Sequence, residues 1–141
     1  MGFLFWKPFF YLIIMKTIMS EADFKQLKKY IQTAKHIHAR DVFLLSKKLQ
    51  NATISKTISH TVVTINSTVN ILFLDTNQQK QFTIVYPHLV SLQDQKISMF
   101  SPIASSIIGS SVGDIIECKL PAGNKKIEIL HVQQPELATK I

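Results

Sequence analysis

The chain has 141 residues, of which 46% are hydrophobic and 18% charged, with one cysteine and a formal net charge of +7. That balance excludes a disordered chain and leaves one modest domain with an appendage. The lone Cys118 excludes an internal disulfide and suits a reducing, cytoplasmic setting. The charge is uneven. Residues 20–50 hold seven Lys or Arg against Glu21, Asp23 and Asp41, whereas residues 61–141 hold six lysines and six acids. The basic part faces nucleic acid, an acidic protein surface or water.

Residues 1–18 form an apolar segment that is interrupted by Lys7-Pro8 and too short for a bilayer crossing of about 20 residues. It has neither a basic leader nor a small-residue cleavage site. Three readings are open: a membrane-surface anchor, a segment packed on the domain, or a stretch outside the native protein. Met15 and Met19 are alternative starts on the last reading, which is the one preferred.

Residues 19–50 read as a short antiparallel helical hairpin. Ser20-Glu-Ala-Asp23 has capping-box spacing, and Phe24, Leu27, Ile31 and Ala34 recur at helical intervals. Val42, Leu45 and Leu49 mark a second helix, with Lys47 and Lys48 on its polar side. The tip falls near His36–Asp41 and carries His38, Arg40 and Asp41. His36 and His38 do not form a metal site here, because side chains two apart at a helix end diverge by about 200°. Residues 51–60 read as a linker.

In residues 61–141, strands are expected at Thr61–Ile65, Val69–Leu74, Gln81–Tyr86, Ile97–Phe100, Asp114–Leu120 and Lys125–Val132. One short helix interrupts them. Ser101 is its N-cap, Pro102 suits its first turn, and Gly109 fits the left-handed residue past its end. Pro121-Ala-Gly-Asn124 is a hairpin turn. The class is α+β: an antiparallel sheet packed on one short helix. No nucleophile sits in a strained-turn motif, and no glycine-rich phosphate loop is present. Neither an enzyme, a cofactor, a metal nor a small-molecule substrate is therefore expected.

Six segments lie in register with a known family: Val62-Val-Thr-Ile-Asn-Ser-Thr-Val69, Ile84-Val-Tyr-Pro87, Ile97-Ser-Met-Phe-Ser-Pro-Ile-Ala-Ser-Ser-Ile-Ile-Gly109, Val112-Gly-Asp-Ile115, Leu120-Pro-Ala-Gly123 and Gln134-Pro-Glu136. They resemble the C-terminal domain of Gre-type transcript-cleavage factors and, more closely, the regulator-of-nucleoside-diphosphate-kinase (Rnk) family. The resemblance implies an FKBP-like fold and docking on bacterial RNA polymerase at the secondary-channel rim. It assigns that docking to Phe100, Ser101 and Pro102, where Phe100 replaces the acid of the Gre pattern with an apolar contact. Gre-type factors reach the polymerase centre with a long coiled coil and an acidic tip. The hairpin here is short and Asp41 is flanked by cations, a poor setting for Mg²⁺.

A monomeric, non-enzymatic elongation regulator without cleavage stimulation is thus expected. The alternatives are weak nucleic-acid (DNA or RNA) binding through the basic hairpin and an indirect effect on nucleoside diphosphate kinase.

Overall fold

In the computed structural model, which describes residues 17–33 and 39–135, regular structure begins with β1 (Thr17–Met19) and the hairpin helices α1 (Glu21–Thr33) and α2 (Ala39–Gln50). There follow β2 (Ala52–Ile54), β3 (Thr68–Phe73), β4 (Gln78–Val85), a 3-10 turn (Pro87–Leu89), β5 (Lys96–Ser98), α3 (Pro102–Ile107), β6 (Ile115–Leu120) and β7 (Gly123–Gln133). Five strands form one sheet in the order β5-β4-β3-β7-β6. All neighbours are antiparallel except β4 and β5, whose connection includes the 3-10 turn. The expected α+β class is the observed one.

Alternation explains the sheet's inner face. Val69 and Ile71 of β3, Phe82 and Ile84 of β4, Ile116 and Cys118 of β6, and Ile127 and Ile129 of β7 are buried. They pack with Ala104, Ile107 and Ile108 from the helix side. In β7 the alternation slips: Asn70 pairs with His131 but Ile71 pairs with Ile129, leaving Leu130 as a bulge. The next buried residue is therefore Val132, three positions on. Such an extra residue bends the strand and curls the sheet.

The hairpin's inner stripe joins the same core. Leu27 of α1 and Leu45 and Leu49 of α2 are buried within it. The Asp23 amide donates to Ser20 Oγ at 3.1 Å, so the expected N-cap operates.

Four features depart from the sequence reading. Thr17–Met19, at the boundary of the apolar segment, pairs in parallel with Ala52–Ile54, inside the expected linker. Met19 is buried, and the Ile18 amide donates to the Gly109 carbonyl at 3.1 Å. Thr61–Ile65 is buried at Val62, Val63 and Ile65 but is not a strand: it has a single bridge from Val62 to Ser111. Its β-branched residues are retained for packing, while the turn closed by Thr64 and Ser67, with Asn66 at φ 69°, breaks any ladder. Lys48, read as a polar-side residue, instead turns its ammonium into the joint between α2 and α3. Leu120 pairs with Gly123, which confines the last hairpin loop to Pro121 and Ala122.

Candidate functional site

The corner between β5 and α3 is the most tightly wired surface feature around the expected docking residues. Ser98 anchors it. Its Oγ accepts from the Phe100 amide at 3.0 Å, and its carbonyl accepts from the Ser101 amide at 3.0 Å and from Ser101 Oγ at 2.7 Å. Ser101 is extended (φ −61°, ψ 150°) and its Oγ accepts from the Ala104 amide at 3.4 Å. Pro102 occupies the first turn, where a missing N–H has no consequence. Ser105 Oγ donates to the Ser101 carbonyl at 2.8 Å and Ser106 Oγ to the Pro102 carbonyl at 2.6 Å. Ser101 and Pro102 remain half-exposed on this rigid frame.

Phe100 does not join them at the surface. It is 3% exposed and belongs to the core, as does Met99 beside it. The tight turn after Ser98 ends strand alternation, so two consecutive side chains point inward. The apolar surface contact expected of Phe100 is thereby corrected to a supporting role behind the corner.

A second cluster, missed in the sequence, lies one hydrogen bond away. The Met99 amide donates to the Val85 carbonyl at 2.9 Å, and Tyr86 follows Val85. Tyr86 stacks on Tyr30 of α1 with centroids 4.6 Å apart and planes at 15°. The His88 ring lies 6.3 Å from Tyr86 and 6.4 Å from Tyr30, nearly parallel to both, and its Nδ1 is 3.3 Å from the Tyr30 hydroxyl. Burial pushes the Tyr86 hydroxyl above its ordinary pKa, with smaller contributions from Asp23 and Tyr30. Desolvation likewise raises the Asp23 carboxyl. Tyr30 sits three residues after Leu27 on one helical stripe, a spacing that offered a signal. The pairing partner 56 residues away did not. Beyond this stack the connection to β5 exposes Leu89, Val90 and Leu92, the last at 85%.

Of the expected hairpin tip, His38 lies outside the described residues, and Arg40 and Asp41 fall in the first turn of α2. Among the described residues, no group of three or more His, Cys, Asp or Glu is placed to hold a metal ion. Nor is any helix among them long and apolar enough to cross a membrane. Asp114 uses its carboxylate to accept from the Ser111 amide at 2.8 Å, a turn-closing bond. Cys118 is fully buried, and desolvation raises its thiol pKa despite opposing effects from Ser106 and Lys48.

Comparison with known proteins bears on this domain directly. The family described as "Transcription elongation factor, GreA/GreB, C-term" matches residues 58–134. Transcription elongation factor GreA of Thermosipho africanus (strain TCF52B) is 34% identical over 89 residues, covering 63% of this chain and 57% of that protein. GreA of Rhodospirillum rubrum is 40% identical over 76 residues, covering 54% of this chain and 48% of that protein. The chain thus spans about half the length of these curated relatives. A solved structure described as a prokaryotic transcription elongation factor GreA/GreB from Nitrosomonas europaea superposes with a TM-score of 0.68 at 29% identity. That likeness covers 84% of this chain and 98% of the other, so it takes in the short hairpin as well as the sheet. With more than half of its residues matched, including the whole five-stranded sheet and the Ser101–Pro102 corner, the chain belongs to the GreA/GreB C-terminal domain family of transcription elongation factors.

Proposed function

We propose that this protein is a non-enzymatic regulator of transcription elongation that binds bacterial RNA polymerase near its secondary channel, is of the Rnk type, and does not stimulate transcript cleavage. The observation that carries the reading is the combination of a GreA/GreB C-terminal domain with a stunted hairpin. Helices α1 and α2 have 13 and 12 residues, which at 1.5 Å per residue gives a prong of about 20 Å. A prong of that length, with Asp41 as its single tip acid beside Arg40, lacks the reach and the paired oxygens for holding Mg²⁺. The docking surface is the half-exposed pair Ser101 and Pro102, with Phe100 behind them. Occupying the channel rim without cleaving would oppose longer factors that use the same rim.

The test is binding of the full chain to purified core polymerase. Micromolar affinity is expected, weakened about tenfold by Pro102→Asp, because a carboxylate there must be desolvated on docking. Absence of binding, or binding indifferent to Pro102→Asp, refutes the assignment. Stimulated cleavage in a stalled complex refutes the second half.

A further inference from the structure

The helical hairpin is joined to the sheet domain by a part-buried lysine. Lys48 of α2 donates from Nζ to the carbonyl oxygens of Ser106 and, at 2.8 Å, of Ile108. Both acceptors belong to the end of α3, where carbonyls lack helical partners. The Ala104 and Ile107 carbonyls there are taken by the Ile108 and Ser110 amides, and Lys48 serves those of Ser106 and Ile108. Lys48 itself lines an open cleft of about 400 Å³, with Lys47 and Glu117 also on its wall. Cys118 and Asp114, from β6 and the turn before it, also act on the Lys48 charge. The segments α3 and β1 bring no titratable side chain.

The side-chain nitrogen can donate to both carbonyls in either protonation state. We propose that Lys48 is the positioning latch that sets the angle of the hairpin on the sheet domain.

Desolvation agrees with the geometry: it pushes the Lys48 pKa from 10.5 down to about 7, outweighing the upward pull of Cys118 and Asp114. The sign follows. An undocked hairpin holds the proton more strongly, so docking gains as pH rises from about 7 toward 10.5 and is insensitive to this group below that window. For a chain seated on polymerase the latch would fix where the prong points. That consequence rests on the polymerase reading; the latch itself does not.

The experiment therefore uses the free full chain. Spin labels at Lys28→Cys and Lys80→Cys, both exposed positions, report the distance between α1 and the sheet, while buried Cys118 stays unlabelled. One narrow distance is expected for the wild type and for Lys48→Arg, and a broad or displaced distribution for Lys48→Met. In urea unfolding, the folding constant of the wild type relative to Lys48→Arg should rise roughly 70-fold between pH 6.5 and 9, because arginine keeps its charge throughout. A Lys48→Met distance that superimposes on the wild type overturns the latch. The same distance reading on Lys48→Ala decides if the methionine variant fails to fold, and a wild-type to arginine ratio constant within about twofold overturns the linked pH dependence. Neither result depends on polymerase.

Discussion

Gly109→Ala should cost this protein far more than an ordinary glycine substitution. Gly109 has φ +85°, and a Cβ placed there would lie 2.3 Å from Thr17 Cγ2, 3.2 Å from the Ile18 amide nitrogen and 3.3 Å from the Ile18 oxygen. The left-handed conformation costs an alanine about 1 kcal/mol. The collision adds about 1–3 kcal/mol, the usual range for an overfilled core, because Ile18 is held by its bond to the Gly109 carbonyl and by the pairing of β1 with β2. Gly113 supplies the control: its φ is +92°, but a Cβ there meets nothing within 4 Å. Gly113→Ala should therefore cost only the conformational part, about 1 kcal/mol. With a urea slope of about 1.5 kcal/mol per molar, the two variants' midpoints should differ by about 1–2 M. Adding Thr17→Ser to Gly109→Ala removes the clashing methyl and should return part of the loss, a coupling that a double-mutant cycle isolates. Coincident midpoints for the two alanine variants, or no recovery with serine, would refute the claim that β1 is wedged under Gly109.

Two further outcomes follow from the buried titratable groups. The Asp23 carboxyl has a raised pKa through desolvation, so the native chain holds that proton more tightly than the unfolded one. Stability relative to Asp23→Asn should therefore be greatest in acid and fall as pH rises from 3.8 through the raised value, then level off; urea midpoints from pH 3 to 7 check this, and a difference that grows with pH contradicts it. Cys118 is buried with its thiol pushed up, so it should resist a disulfide reagent at pH 8 until urea unfolds the chain; rapid modification of native protein would show that β6 and α3 part readily.

Local chemistry was legible wherever one residue type answers one geometric need. Ser20 and Ser101 accept the amides expected of N-caps, Gly109 takes the left-handed turn, and the alternation of β3 and β4 matches their buried faces. Features resting on distant partners were not legible. The strands β1 and β2 have three residues each, too few for a period, and exist through each other and Gly109. Thr61–Ile65 has strand composition because it is buried, while its backbone bonds to Gly109–Val112 stop at the turn closed by Thr64 and Ser67. At the candidate site, the sequence located Ser101 and Pro102 but could not tell that Phe100 turns inward, since inwardness there comes from the turn made by Ser98. The Tyr30–Tyr86–His88 stack and the inward-turned Lys48 each need two segments 56 or more residues apart to meet.

The pairing of Thr17–Met19 with Ala52–Ile54 fastens the two helices at both roots, one strand leading into α1 and the other leading out of α2. A force applied at the far end is thus shared by two backbone attachments that run in the same direction, rather than concentrated on one swivel. Severing the chain between the helices would leave each still tethered by its own root. The prong is accordingly a bracket bolted twice at its base, with Lys48 as a third fastening along α2.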